Sequence, residues 1–547
     1  MKAADYLAKA IEELDIPYVF GLPGSTEAPF LQTLNETRSF EYILTLHENV
    51  TVAMADGYAR ASGKVGIANL HTTVGTGNGI SQLYNASRDR SSLVVLAGHK
   101  STDIYNRDGF CTIDHLPNLT KSITKWSGEL ENSTQIVDDF YRAVKISKSS
   151  PMGPVFLSLP ENLLGREIEH PLVIDPERRV LPVNVSPLPS DIKHCSELLN
   201  SSNRVVIIAG DDVAHTDAIE CLEEVARKLN AVVLREPRRS STKFTYSTEN
   251  PHFSGEYAPS HPAVKEADCI FAVGCRLFVE FGLPKAPEIQ SNITIIHVHE
   301  NPNEIAKLYP VTLGMVGSSR TTLEQLLPLL NTDRNSLEWV NKNREKYLST
   351  TERPPIDNNS KPMKVSDVVC VMSNILPEEA IIVDEGIRSS RALLKHFPFR
   401  YSNSYHTTSG GALGWGIPAA IGIQFAQPDK QVVAFIGDGS ALFTIQGLWT
   451  AAKYNLPVIF MICNNKTYLA VKAAIKEYRK NVNEPETSEY PASSLAHPTI
   501  DFVSIAKGLG VHGEVVTNLS KLESILKTAI NSKEPILLDV QVEEVEV

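Results

Sequence analysis

Short, continuous apolar runs that alternate with longer amphipathic stretches constrain the fold of this chain most strongly. Runs rich in valine and isoleucine occur at 65–70, 93–98, 205–210, 269–274, 432–437 and 458–463. Because each run is apolar at nearly every position, rather than at every second one, it predicts a strand buried on both faces of a parallel sheet. The helix-like stretches between the runs predict helices on both sides of each sheet. We therefore expect an α/β protein built from doubly wound parallel sheets.

Two polar, proline-rich stretches, at 178–191 and 349–362, are typical of linkers. They separate three blocks that each alternate strands and helices, and we predict domains at 1–177, 190–335 and 360–547. A length of 547 residues is sufficient for three domains of ordinary size.

Composition narrows the class of protein. The net charge is −12, whereas nucleic-acid-binding proteins typically carry an excess of basic residues. We therefore expect no nucleic-acid partner. No apolar run reaches the roughly 20 residues that a membrane helix needs, so we expect no membrane partner. Acidic residues interrupt the first 20 positions, and none of the seven cysteines forms a CxxC pair. We therefore expect no export signal, reduced cysteines and a cytoplasmic location.

The strongest motif follows the apolar run at 432–437. Gly437-Asp438-Gly439-Ser440 ends that strand, and Asn464-Asn465-Lys466-Thr467 ends the next one. A strand, a helix and a strand fit the interval, so both turns should meet at the carboxyl edge of one sheet. Carboxylate and amide oxygens suit Mg²⁺, and glycines with a helix N-terminus suit a phosphate. Two ordinary tight turns are the alternative interpretation.

This motif resembles the GDGS…NN signature of the thiamine-diphosphate enzymes. The resemblance covers the whole chain, and it implies a pyrimidine-binding domain, a central domain and a diphosphate-binding domain. It also implies thiamine diphosphate and Mg²⁺ as cofactors, with Asp438, Asn465 and the carbonyl of Thr467 on the metal. Gly437, Gly439 and Ser440 would lie against the diphosphate.

The family also requires a glutamate that ends a strand and opens a helix in the first domain. Glu48, in the stretch LTLHENVTVAMADGYARASG, matches it. By resemblance this carboxylate hydrogen-bonds the aminopyrimidine ring of the cofactor and assists its proton transfer. A first-turn helix acid, stabilised by the helix dipole, is the alternative.

A glycine-rich segment, Ser409 to Pro418, resembles the part of the family that bends the cofactor. The resemblance implies that the Gly411 carbonyl accepts from the pyrimidine amino group and that Leu413 is wedged under the two rings. Arg388 and Ser389, in an upstream turn, would contact the diphosphate. A glycine-rich turn before a core helix is the alternative interpretation.

Two segments of the first domain resemble the benzoylformate decarboxylase subgroup. Ser25 lies in GLPGSTE, and His71 lies in NLHTTVGTGN. The resemblance implies non-oxidative decarboxylation of a 2-oxo acid to an aldehyde and CO₂. In this reaction Ser25 would contact the substrate. By the same resemblance His71 matches an active-site histidine, and histidine is a residue type suited to the two proton transfers. A strand-end histidine bonded to backbone is the alternative.

The sequence departs from that subgroup in two places. The subgroup's middle-domain histidine has no counterpart in Arg276 to Gly282, where we expect Phe278, Glu280 or Phe281 to project instead. Val471 and Ala474 are smaller than the pocket residues of the subgroup, which predicts a wider pocket and leaves aryl and aliphatic substrates open.

Two rival functions, two further motifs and an expected oligomeric state complete the interpretation. An acetolactate-synthase-like carboligase is the first rival function, and a non-catalytic binding or regulatory member is the second. Gly75-Thr76-Gly77-Asn78-Gly79 lacks the spacing of a dinucleotide loop, and His297-Val298-His299 lacks a third metal ligand. The family resemblance further implies a homodimer or homotetramer with active sites at the subunit interface, where Glu48 and Asp438 come from different chains.

Overall fold

The computed structural model describes residues 1–35, 39–169, 176–181, 185–277, 289–331, 337–353, 355–357 and 360–544. The chain divides into two compact units, one comprising Met1–Pro182, Pro355–Leu394 and Gly410–Val547, and the other Val183–Pro354 and Lys395–Ser409. Parts of both predicted linkers (182–184, 354 and 358–359) lie outside the described residues, as do Phe278, Glu280 and Phe281.

The N-terminal third of the chain forms a six-stranded sheet, and every pair of neighbouring strands is parallel. Its strands are β1 Tyr18–Gly21, β2 Glu41–Leu44, β3 Gly66–His71, β4 Leu93–His99, β5 Trp126–Glu129 and β6 Val155–Pro160, in the spatial order β2-β1-β3-β4-β6-β5. Its helices are α1 Ala3–Glu13, α2 Ala28–Thr33, α3 Glu48–Ser62, α4 Thr72–Arg88, α5 Ile136–Lys148, α6 Glu161–Leu164 and α7 Pro176–Arg179. All residues of β4 and β6 are buried, which confirms strands covered on both faces.

The second unit contains its own six-stranded parallel sheet. The strands are β7 Val205–Ala209, β8 Val232–Arg235, β9 Phe253–Glu256, β10 Cys269–Val273, β11 Thr294–His299 and β12 Leu313–Val316, in the order β12-β11-β10-β7-β8-β9. The helices are α8 Pro189–Ser201, α9 Asp211–His215, α10 Ile219–Leu229, α11 Pro262–Glu266, α12 Ser319–Leu326 and α13 Glu338–Thr351.

The C-terminal third has a further parallel sheet. The strands of this third are β13 Ile381–Glu385, β14 Tyr405–His406, β15 Val432–Gly437, β16 Ile459–Asn464, β17 His512–Val516 and β18 Ile536–Gln541. Five of them, all in the first unit, follow the order β13-β15-β16-β18-β17 in parallel register. The helices are α14 Val365–Ile375, α15 Ser390–His396, α16 Gly416–Ala426, α17 Asp438–Ala441, α18 Gly447–Lys453, α19 Leu469–Asn481, α20 Phe502–Gly508 and α21 Leu519–Ala529.

Helices α3 and α16 join the N-terminal and C-terminal sheets into one unit with a shared hydrophobic core. Helix α16 is apolar on all sides, as expected for a helix with no solvent-facing stripe. The two helix backbones approach so closely that a Cβ at Gly57 would lie 2.4 Å from the Ala419 carbonyl oxygen. Glycine is therefore required at this crossing, and any larger side chain would push the two helices apart.

A buried polar cluster fixes the same crossing. The indole Nε1 of Trp415 donates to Asp56 at 2.6 Å, and the Arg60 guanidinium lies 4.7 Å from the centre of the Trp415 ring. Arg60 also pairs with Asp89 at 3.3 Å. These paired and hydrogen-bonded groups tie the two helices together in one orientation.

The three parallel sheets confirm the predicted α/β class and the six predicted strands. The domain boundaries 1–177, 190–335 and 360–547 stay predictions, since contacts alone group the first and third blocks together. Among the described helices, none combines the length and the apolar character needed to cross a membrane.

Candidate active site

The first candidate residue, Glu48, opens α3 directly after the turn that follows β2. The His47 side chain caps this helix by accepting from the backbone N–H of Asn49 at 3.1 Å. Glu48 is buried, and its carboxylate accepts a hydrogen bond from the Asn78 side chain at 3.1 Å. A Cβ at Gly75 would lie 3.0 Å from the same carboxylate, so α4 packs closely on it. The carboxylate is thus held in one place by a neighbouring helix.

His71 ends β3, and its ring is fixed by the loop that follows β1. Its Nδ1 lies 2.9 Å from the Thr26 hydroxyl and 3.0 Å from Oε2 of Glu27. The Thr26 hydroxyl donates its one proton to Oε1 of Glu27 at 2.8 Å, so Nδ1 must be the donor toward Thr26 and Glu27. In a neutral imidazole this arrangement places the proton on Nδ1 and leaves Nε2 as the acceptor.

Glu27 is a residue whose role the sequence interpretation missed, although it lies in the same quoted motif as Ser25. Its side chain is only 1% exposed, whereas that of His71 is 26% exposed. The backbone N–H of Gly24 donates to it at 2.7 Å. The role of Glu27 comes from its contact with His71, which is far away in sequence. A glutamate in a turn does not by itself indicate such a contact.

Ser25 lies on the exposed side of the same loop. The ammonium group of Lys100, which follows β4, donates to its hydroxyl at 3.1 Å. Gly24 packs directly against the His71 ring, because a Cβ there would lie 2.3 Å from Nδ1. The structure therefore brings Ser25 and His71 to one edge of the N-terminal sheet.

Asp438 is the first residue of α17, directly after β15. Burial raises the pKa of this carboxyl to about 6, although backbone amides partly oppose the shift. Its oxygens accept from the N–H of Gly439 at 2.8 Å and from the N–H of Lys466 at 2.7 Å. The second of these bonds joins the turn after β15 to the turn after β16, as predicted.

The turn after β16 carries the other two predicted metal ligands. Oδ1 of Asn465 accepts from the N–H of Thr467 at 3.0 Å, and the Thr467 hydroxyl donates to the Ser493 carbonyl at 2.8 Å.

No ion pair of Asp438 occurs among the residues that the structure describes. A buried, desolvated carboxylate beside an amide oxygen and a turn carbonyl is a donor set that fits a hard divalent cation.

The turn after β13 lies beside Gly437, since Glu385 pairs with Ile436 in register. Asp384 shapes this turn by accepting from the N–H of Gly386 at 2.9 Å and from the Ser390 hydroxyl at 2.6 Å. The predicted anion contacts Arg388 and Ser389 belong to this turn.

A loop at 410–416, called the wedge loop below, carries the predicted cofactor-bending residues. Gly411 has a left-handed φ of +85°, and a Cβ there would meet open space. Leu413 is half-buried. The Glu385 carboxylate, a further residue that the sequence interpretation missed, accepts from three backbone N–H groups at 414–416.

The candidate residues thus form two groups. Ser25, Glu48 and His71 belong to the N-terminal sheet, and the metal and diphosphate candidates belong to the C-terminal sheet. Among the described residues, no hydrogen bond or ion pair joins one group to the other.

Three family models match the chain in order. They are the N-terminal TPP binding domain of thiamine pyrophosphate enzymes at residues 1–117, their central domain at 192–326 and their C-terminal TPP binding domain at 388–540.

Full-length relatives fall into two groups. Benzoylformate decarboxylase of Pseudomonas aeruginosa is 31% identical over 537 residues, which cover 96% of each chain. A probable acetolactate synthase large subunit of Methanococcus aeolicus is 28% identical over 565 residues, covering 98% of this chain and 92% of its own. The solved structure of a Rhodococcus jostii thiamine diphosphate-dependent 4-hydroxybenzoylformate decarboxylase covers 99% of both chains, with a TM-score of 0.88 and 27% identity. This chain therefore belongs to the thiamine pyrophosphate enzyme family.

Proposed function

We propose that the protein is a carboxy-lyase that uses thiamine diphosphate and Mg²⁺ to convert a 2-oxo acid into an aldehyde and CO₂. The observation that carries this proposal is the fixed imidazole of His71, whose Nδ1 is engaged by Thr26 and Glu27. A histidine oriented in this way beside Ser25 is suited to the proton transfers that aldehyde formation requires.

The C-terminal group would hold the cofactor. Asp438, Asn465 and the Thr467 carbonyl would bind Mg²⁺, and this cation would offset the burial that raises the pKa of Asp438. The remaining contacts to the cofactor would come from Gly437, Gly439, Ser440, Arg388, Ser389, Gly411 and Leu413. When bound, thiamine diphosphate supplies a cationic ring that accepts the electron pair left by departing CO₂.

The N-terminal group would handle protons and substrate. Glu48 would hold a proton against the aminopyrimidine ring, and the Asn78 amide keeps its carboxylate in position. His71, when both ring nitrogens are protonated, would deliver the Nε2 proton to the reacting carbon; the neutral ring would then accept at Nε2 the proton of the hydroxyl group that becomes the aldehyde carbonyl. The Glu27 carboxylate would stabilise the His71 ring while the ring carries positive charge. Ser25 would hold the substrate carboxylate.

We also propose a homodimer or homotetramer in the cytoplasm. Within the described part of the chain, no hydrogen bond joins Glu48 to the predicted metal ligands, and the proposed sharing of sites between chains agrees with this. One chain would then supply Glu48 and another Asp438.

The alternative function is carboligation of two 2-oxo acids, as the name of the Methanococcus relative suggests. A specific feature supports it. Val471 and Ala474 on α19 are short and exposed, which leaves room for a second carbonyl compound. Against it stands the fixed His71, whose proton delivery favours aldehyde release.

A product assay separates the two functions. The protein is incubated with thiamine diphosphate, Mg²⁺ and a panel of aryl and aliphatic 2-oxo acids that includes benzoylformate and pyruvate. We expect CO₂ with an equal amount of aldehyde, and a slower reaction by about 10²-fold or more in His71→Ala. Acetolactate as the main product from pyruvate would refute the lyase assignment and support the carboligase.

A further inference from the structure

Two buried amide side chains on α4 bind the backbone of the wedge loop. Gln82 and Asn85 are both fully buried. Asn85 donates to the Ala412 carbonyl at 2.8 Å and accepts from the Ala412 N–H at 3.0 Å. Gln82 donates to the Leu413 carbonyl at 3.0 Å and accepts from Asn85 at 2.8 Å. We call Gln82 and Asn85 the amide clamp below. Their side chains hydrogen-bond the backbone of residues 412 and 413, as the backbone of a neighbouring strand would.

The other side of the wedge loop is held by a different group. The Glu385 carboxylate accepts from the N–H groups of Gly414 at 2.8 Å, Trp415 at 3.2 Å and Gly416 at 2.9 Å. The Thr444 hydroxyl donates to the Gly414 carbonyl at 2.8 Å. Backbone groups from 412 to 416 are therefore fixed by side chains, in a segment that has no regular secondary structure before α16.

Gly411 differs from its neighbours in the loop. Among the described residues, no hydrogen bond to its carbonyl or N–H is recorded, and a Cβ there would have no neighbour within 4 Å. Its carbonyl thus stays available to a ligand, while the adjacent residue is fixed on both of its polar backbone groups.

The amide clamp also depends on a close approach. A Cβ at Gly410 would lie 2.2 Å from Oδ1 of Asn85, so only glycine lets the amide reach the loop. The same helix carries Asn78, which bonds Glu48. Helix α4 therefore contacts both the candidate carboxylate and the candidate cofactor-bending loop of its own chain.

We infer that Gln82 and Asn85 are positioning residues, which fix the wedge loop so that the Gly411 carbonyl and the Leu413 side chain face thiamine diphosphate. This inference rests on the proposed function, because it assumes that this cofactor binds at the wedge loop. Both amides are buried against the loop, so each would act through the backbone of residues 412 and 413. Loss of one donor leaves a buried carbonyl without a partner and frees the loop to move.

The test compares Gln82→Glu with a matched control, Gln424→Glu. Gln424 is another buried amide of the same unit, on α16 and eight residues beyond the end of the wedge loop, and it donates to the carbonyls of Gln427 and Lys430 at 3.0 Å rather than to the loop. Both variants replace a buried donor by a carboxyl group of equal size. Gln82→Met, which lacks hydrogen-bonding groups, serves as the second variant should the carboxyl variant fail to fold.

Isothermal titration calorimetry with thiamine diphosphate and Mg²⁺ gives the dissociation constant, and thermal unfolding without cofactor gives the Tm. We expect Gln82→Glu and Gln82→Met to weaken cofactor binding about tenfold or more. The control should lower the Tm to a similar extent and change the dissociation constant less than twofold.

A dissociation constant within twofold of wild type in a folded Gln82 variant would overturn the inference and leave the proposed function intact. Equal weakening in the Gln424 control would also overturn it, because the effect would then be general destabilisation. A wild-type protein that fails to bind thiamine diphosphate would instead overturn the proposed function itself.

Discussion

Oε2 of Glu27 lies 3.0 Å from Nδ1 of His71, and the carboxylate is almost completely buried while the imidazole remains partly exposed. The pair therefore joins a buried acid to a base that solvent and substrate reach. Thr26 shares the Nδ1 proton, so two partners hold the ring in one orientation.

We predict that Glu27→Gln slows aldehyde formation by roughly 10- to 100-fold, because a hydrogen bond to a charged group contributes about 1.5–3 kcal/mol. The amide still fits, but it no longer stabilises a positively charged ring. Steady-state kinetics with the best 2-oxo acid measures kcat, and calorimetry should find cofactor affinity unchanged. An unchanged kcat would remove Glu27 from the mechanism.

Glu48→Gln should abolish turnover while thiamine diphosphate remains bound. Glutamine preserves the size of the side chain, but it cannot exchange a proton with the aminopyrimidine ring. We expect at least about a 10²-fold loss in kcat. Asn49→Ala, at the next position of α3, is a control whose activity should stay near that of wild type. Turnover that persists in Glu48→Gln would contradict the assigned role.

Removal of the divalent cation by a chelator should release the cofactor, and added Mg²⁺ should restore binding. The same loss is expected in Asp438→Asn at every Mg²⁺ concentration tested, because the amide lacks the charge that compensates the cation. Calorimetry of thiamine diphosphate binding measures both effects. Binding of wild type in the presence of chelator, with unchanged affinity, would refute the metal assignment.

The central domain provides a prediction about pH. Burial raises the pKa of Glu236 to about 7, with a further increase from Asp211 and a decrease from Arg276. Its oxygens accept from the backbone N–H of Arg276 at 2.6 Å and of Asp211 at 3.1 Å. The folded protein keeps this proton to a higher pH than the unfolded chain, so stability falls as pH rises from about 4.5 to 7.

In Glu236→Gln this titration is absent. We therefore expect the free energy of unfolding of wild type, relative to the variant, to drop by at most about 3 kcal/mol between pH 4.5 and 8. Urea unfolding at both pH values measures the difference. A difference between the two proteins that does not change with pH would show that Glu236 does not titrate in this range.

Sequence patterns predicted the parallel sheets and the meeting of the turns after β15 and β16, because both depend on local order along the chain. Continuous apolar runs define the strands, and the parallel arrangement brings the residues after each strand to one edge. Asp438 and Lys466 are joined by a hydrogen bond for this reason.

The residues that sequence analysis missed act across long chain separations. Glu27 reaches His71 only because β1 pairs with β3, and Asn85 reaches Ala412 only because α4 packs on the C-terminal part of the unit. Hydrogen bonds between side chains and loop backbone have no periodicity that a sequence pattern reveals. Glu385 ends β13, and its bonds to residues 414–416 likewise span a long chain separation.

Complementation between two inactive variants tests most directly whether one cofactor is shared by two chains. Glu48→Gln and Asp438→Asn are unfolded together, refolded as a mixture and assayed with thiamine diphosphate and Mg²⁺. In a mixed dimer with shared sites, one site carries both substitutions and the other carries neither. Random pairing should then restore about one quarter of wild-type turnover, while each variant refolded alone stays inactive. A mixture as inactive as its parents, in spite of mixed dimers shown by mass spectrometry, would contradict the shared site.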